Sequence, residues 1–181
     1  MRSKATLHRS KTVYDGRILR VKLDDVSEPG GVTATREVVE HAGSVVVLPF
    51  LPDGRTILVR QYRHPARQYL WELVAGSIER GENVIKAARR ELLEEAGYQA
   101  RTLKQTVAFY SSPGFLTECM YLIEARGLKF LKAQPEDDER IQVKAFSQTQ
   151  IDRLLREKKI KDGKTLVGLL WAKLTATRKK A

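Results

Sequence analysis

A chain of 181 residues, 42% hydrophobic and 30% charged, is long enough to bury a real core and has the balance of a globular protein of one domain. No run approaches the ~20 apolar residues that span a bilayer, and the opening MRSKATLHRSK carries charge without an apolar stretch, so neither a membrane helix nor a secretory signal is expected. The single Cys119 excludes an intramolecular disulfide and fits a reducing, cytoplasmic location; in TECMYLIEA it reads as a buried structural thiol. The net charge of +11 sits partly in the termini and is otherwise scattered, with no aromatic residues interleaving a basic strand. A basic surface that draws in a small polyanion explains it without nucleic acid.

In chain order, residues 1–41 form a strand-rich section, with extended segments at 12–14, 18–24 and 36–41 and turns at Asp15-Gly16 and Pro29-Gly30-Gly31. Residues 42–181 follow as the main domain. SVVVLPFL (44–51) reads as a buried strand, and Pro52-Asp53-Gly54 turns it into TILVRQY (56–62), which predicts a hairpin. A short strand at 71–74 leads to a helix over 83–96. Strands are expected at 104–110, 118–125 and 141–146. The loop Ser111-Ser112-Pro113-Gly114-Phe115 separates the first two, and an acidic loop (136–139) precedes the third. Ser147 with Gln150 forms a capping box that opens a helix carrying Ile151, Leu154 and Leu155; Asp162-Gly163 breaks it, and a last helix runs over 166–176. Strands mixed with three helices and few βαβ alternations indicate an α+β fold.

The segment with chemistry in it is GSIERGENVIKAARRELLEEAGY (76–98). On a helix, Glu91 and Glu95 lie ~40° apart around the axis and Glu94 lies ~60° to the other side of Glu91. Carboxylates so placed repel one another unless a positive charge sits among them, and hard divalent cations such as Mg²⁺ take carboxylate oxygens in this arrangement. The plainer reading is a solvated face with Arg90 paired to Glu94 at i,i+4. Asn83 caps the helix start, Gly97 supplies its left-handed end, and Val84, Ala88 and Leu92 form the stripe that docks it.

With its gaps, Gly76, Glu82, Arg90-Glu91-Leu92, Glu94-Glu95 and Gly97 resemble the Nudix box with every fixed Gly, Glu and Arg present; Tyr98 stands where an aliphatic residue is commoner. The flanks resemble the ADP-ribose pyrophosphatase branch. Upstream these are LVRQYRHP (58–65) and WELVAGSIE (71–79); downstream, Pro113 about sixteen positions past the box, DDERIQV (137–143) and IKDGKTLVGLL (160–170). Val74 stands where the branch usually has proline.

The resemblance implies a mixed sheet held between helices, with a small N-terminal β-rich section, and Mg²⁺-dependent (or Mn²⁺-dependent) hydrolysis of ADP-ribose to AMP and ribose 5-phosphate. GDP-mannose or another nucleoside diphosphate sugar is the alternative substrate, and a non-catalytic sensor or an RNA-binding protein the alternative class. It implies Glu91, Glu95 and the Ala75 carbonyl as metal ligands, Glu94 as an additional or water-mediated one, and Glu82 bracing the loop through Arg90. The general base comes from the acidic loop, Glu139 first and Glu136 next, against the plainer reading of a solvated loop. Arg63 is a candidate phosphate contact or a surface arginine, and Pro113, Gly114 and Phe115 are substrate-side residues. Tyr14, Tyr110 and Phe115 could stack on adenine, with apolar packing as their default. The branch's N-terminal section packs across a two-fold axis, which implies a homodimer.

Overall fold

The computed structural model describes residues 4–133 and 140–178, which fall into two compact units. The first comprises Met1–Gly43 with Tyr110–Cys119. Its sheet is antiparallel in the order β1 (Thr6–Asp15), β2 (Arg20–Ser27), β3 (Thr33–Glu40). These strands are longer than the extended segments expected, because the two ladders pair them all the way between the turns at Asp15-Gly16 and Pro29-Gly30-Gly31. The loop 110–119 runs beside β3: Val39 N–H donates to the Phe115 carbonyl at 2.7 Å, and Thr117 N–H to the Val39 carbonyl at 2.9 Å. β1 is exposed along its whole length.

The second unit comprises Ser44–Phe109 with Met120–Ala181. Its strands are β4 (Ser44–Pro49), β5 (Thr56–Arg63), β6 (Gln68–Glu72), β7 (Val74–Ser77), β8 (Tyr98–Tyr110), β9 (Cys119–Phe130) and β10 (Gln142–Phe146), and β8 and β9 run at one end into the first unit. One sheet has the order β10-β5-β6 and the other β7-β4-β9-β8, with β4 and β9 parallel. The helices are α1 (Val84–Ala96), α2 (Gln148–Arg156) and α3 (Gly163–Arg178).

Every residue of β4 is buried, because the strand is covered on both faces. Val45 and Val47 join Val59, Val74, Ala88 and Leu92 under α1, while Val46 and Leu48 join Leu58, Leu73, Ile151 and Leu169 under α2 and α3. Each fully buried aliphatic side chain contributes about 1.5–3 kcal/mol.

The expected hairpin of 44–51 with 56–62 does not form. β4 pairs with β7 and β9, β5 pairs with β6 and β10, and the two meet only at a bridge between Phe50 and Thr56. The turn between them closes locally, with Leu51 N–H on the Arg55 carbonyl and Gly54 N–H on the Leu51 carbonyl. Pro49 has no N–H to extend β4, and both long edges of β4 are already taken. β8 and β9 also outrun the expectation at their far ends, where Tyr98 and Phe130 meet edge to face at 5.3 Å.

Candidate functional site

α1 forms as its sequence dictates. Asn83 Oδ1 accepts from the N–H groups of Ile85 and Lys86, and Gly97, at φ 74°, ends the helix with its N–H on the Leu93 carbonyl. Ala87, Ala88, Leu92 and Ala96 face the core, and the same rotation buries Glu91 and Glu95, which are 8% and 3% exposed. Both carboxylates lie toward β7. Ala75 N–H donates to Glu95 Oε2 at 3.1 Å, and a Cβ at Gly76 would run into the Glu91 carboxylate. Glycine is required at 76 for that close approach, not for a special backbone angle.

Arg90 gathers the remaining acids. Its guanidinium donates to Glu82 at 3.0 Å, Glu91 at 2.7 Å, Glu94 at 3.0 Å and the Ser77 carbonyl at 3.0 Å. Burial opposes the charge, but the hydrogen bonds to Glu82 and Glu91 outweigh it and lift the Arg90 pKa far above the ordinary guanidinium value. The same bond from Arg90 holds Glu82 below the usual carboxylate range, and Glu82 also accepts from Glu79 N–H at 3.2 Å. Arg90 thus spans both partners foreseen for it, and Glu82 braces the loop against the helix.

Among the described residues no three Asp, Glu, His or Cys side chains group closely enough to close on one metal ion, since Glu91 and Glu94 turn toward Arg90. The donor set nonetheless suits a hard divalent cation. It offers two buried carboxylates one turn apart against a backbone cradle that a Cβ would fill, with the Ala75 peptide beside Glu95 and Glu94 partly exposed next to them.

Arg63 is neither a simple surface arginine nor an open anion fork. Its Nε and Nη2 both donate to Glu72 at 2.8 Å, so the bidentate edge is taken by a carboxylate that is wholly buried. Lys164, at the start of α3, pairs with the same carboxylate and donates to Asp162 at 2.8 Å. The bond to Glu72 raises the Arg63 pKa against the cost of burial, and the charges of Glu95 and Asp162 add to that rise. Sequence reasoning assigned no site role to Glu72, Lys164 or Thr165, and took Asp162 with Gly163 only as a break between helices. The available signal was Asp162 three residues ahead of Thr165, an N-cap spacing, whereas the pairings of Lys164 with Glu72 and of Thr165 with Leu73 each span 92 residues.

Pro113, Gly114 and Phe115 belong to the first unit, beside β3. Phe115, Tyr110 and Tyr14 are 54%, 61% and 59% exposed, so the apolar packing taken as their default is corrected; their strand ends and loop carry no layer within that unit that would cover them. Cys119 is only partly buried. The base candidates Glu136 and Glu139 lie outside the described residues.

Comparison with known proteins falls on the same elements. Residues 33–167 match a family model described as NUDIX domain, and residues 6–39 match one described as nucleoside diphosphate sugar hydrolase N-terminal domain. An ADP-ribose pyrophosphatase of Bacillus subtilis (strain 168) is 34% identical over 164 residues, covering 90% of this chain and 89% of that one. A methanol dehydrogenase activator of Bacillus methanolicus is 33% identical over 168 residues, 92% of this chain and 91% of that one. The crystal structure of an ADP compounds hydrolase superposes with a TM-score of 0.83 over 97% of this chain and 96% of its own, at 23% identity, a likeness of fold.

Proposed function

Because the chain belongs to the Nudix family of hydrolases, we propose that it hydrolyses the pyrophosphate bond of ADP-ribose, or of a closely related nucleoside diphosphate sugar, to AMP and ribose 5-phosphate with Mg²⁺. The observation that carries this reading is the buried pair Glu91 and Glu95 seated against Ala75-Gly76, in a chain that matches ADP-ribose pyrophosphatases over nine-tenths of its length. Glu91, Glu95 and the Ala75 carbonyl would hold the ion, with Glu94 as an additional or water-mediated ligand. When bound there, a divalent ion neutralises phosphoryl oxygens and activates the attacking water.

The chain's own residues do the rest. Arg90 holds Glu82, Glu91 and Glu94 apart by hydrogen bonds, the Ala75 N–H orients Glu95, and Gly76 leaves room for the Glu91 carboxylate. Arg63, fixed by Glu72, turns its remaining guanidinium edge to the phosphates. Glu139, or failing that Glu136, takes the proton of the attacking water. Pro113, Gly114 and Phe115 are the substrate-side residues of this reading. The working form is a cytoplasmic homodimer. Among the described residues of its unit no helix covers the sheet β1-β2-β3, and Leu7, Val13, Tyr14 and Ile18 there are exposed; so small a sheet needs a second layer. Among the described residues no helix is long and apolar enough to cross a membrane.

A phosphatase-coupled release screen over ADP-ribose, GDP-mannose and other nucleoside diphosphate sugars with Mg²⁺ tests the activity directly. Turnover of ADP-ribose above the rest is expected; binding without turnover would favour a sensor. For the base, Glu139→Gln should lower turnover and remove the acidic limb of the pH–rate profile, and Glu136→Gln should do so if Glu139→Gln does not. If both variants keep the wild-type profile, the proton is taken elsewhere. Light scattering at micromolar concentration should give twice the 20.6 kDa chain mass, and a fully active monomer would refute a site shared between copies.

A further inference from the structure

β6 ladders with β5 in one sheet and β7 ladders with β4 in the other, so the chain crosses between sheets at Leu73. At the crossing the Leu73 N–H donates to Thr165 Oγ1 at 2.8 Å. Thr165 is wholly buried. Its hydroxyl donates to Asp162 Oδ2 at 2.6 Å and its own N–H donates to the same oxygen at 2.9 Å, which makes Asp162 the cap of α3 and fixes the hydroxyl's lone pairs toward Leu73. Two further contacts close on the same spot. Lys164 pairs with Glu72, and Gly168 packs so closely on the Leu73 side chain that a Cβ there would collide with it. Just beyond the crossing stand the two peptides that set the acids of α1: Ala75, whose N–H holds Glu95, and Gly76, against which Glu91 lies.

We infer that Thr165 is a positioning residue of the hydrolase, setting through the Leu73 N–H the place of Ala75-Gly76 and hence of Glu95 and Glu91. The inference rests on the reading of those two carboxylates as the metal-holding pair. A hydrogen bond at a sheet crossing is a sharper constraint than core packing, because no ladder neighbour shares the load and a buried N–H must find a partner. Supporting groups behind a metal site commonly change its affinity by 10–100-fold when removed.

The test compares Thr165→Val, which keeps the shape and removes the acceptor, with Thr165→Ser, which restores it. Ile151→Val, a core truncation in α2, serves as the control for lost stability. Three readouts are taken on the full chain: Leu73 amide exchange by NMR, Mn²⁺ affinity by calorimetry without substrate, and turnover. Thr165→Val should speed Leu73 exchange and weaken Mn²⁺ binding about tenfold or more, Thr165→Ser should return both toward wild type, and Ile151→Val should leave Mn²⁺ affinity unchanged. Unchanged Mn²⁺ affinity in Thr165→Val, failure of the serine to rescue, or an equal loss in Ile151→Val overturns the inference. Should the valine variant not fold, Thr165→Ala removes the same acceptor and is read in the same way. Glu95→Gln is measured alongside. If it binds Mn²⁺ like wild type, the metal-site reading falls and the inference falls with it; if it loses binding while Thr165→Val does not, the inference alone falls.

Discussion

Glu95→Gln and Glu91→Gln, each assayed at saturating Mg²⁺, should lose about a hundredfold or more in turnover while remaining folded. A hundredfold corresponds to about 2.7 kcal/mol of transition-state stabilisation, within the several kcal/mol that a metal ion supplies to charge on a phosphoryl group. Glutamine keeps the volume, and its side-chain oxygen can still accept from the Ala75 N–H at position 95 or from Arg90 at position 91. The substitution therefore removes charge from a site that is already shaped. Steady-state kinetics with a melting curve on each variant decide the matter: a variant that turns over at close to the wild-type rate with metal in excess would remove that residue from the metal-holding pair.

The second large effect is on stability and comes from Glu72. Burial by itself pushes its carboxyl up, yet the net shift is downward, because Arg63 donates two hydrogen bonds and Lys164 adds both charge and a bond. Glu72→Ala leaves two cations facing a wholly buried gap, and removing one partner of such a set costs about 3–5 kcal/mol. Arg63 is 39% exposed and can turn partly to water, which places the expected loss near about 3 kcal/mol and the fall in melting temperature at about 6–12 °C. The pH dependence follows from the direction of the shift. A carboxyl with a folded pKa below its unfolded value of about 4.3 contributes fully above that value and loses its contribution as pH falls through the folded one. Wild-type stability should therefore drop below about pH 4.3 more steeply than that of Glu72→Gln. Parallel acid limbs in chemical denaturation would show that the carboxylate adds nothing to the fold.

Most of the box helix was legible in the sequence because its determinants are local. Asn83, Gly97, the Ala88 and Leu92 stripe and the reach of Arg90 to Glu82 and Glu94 all act within two or three turns, and each is found as its spacing implied. The same holds for the capping box of Ser147 and Gln150 and for the turns that divide β1, β2 and β3. The acid loop is legible as composition alone, and its residues 136–139 lie outside those described.

What only the tertiary structure decided are the relations between segments far apart in the chain. The run 44–51 reads as buried, but its apolar residues are equally compatible with pairing to 56–62 or to β7 and β9, and only the covering of both faces by helices selects the latter. Around α1, helix geometry groups Glu91, Glu94 and Glu95; which of them are buried depends on where β7 passes, and that singles out Glu91 and Glu95. Arg63 looked like a free cation because Glu72 reads in sequence as part of a short strand, and Lys164 and Thr165 as the start of a distant helix. Hydrogen bonds across 92 residues leave no periodicity and no motif in a single sequence. They exist because a strand that changes sheets at Leu73 presents one backbone N–H and one carboxylate that burial obliges some other part of the chain to satisfy.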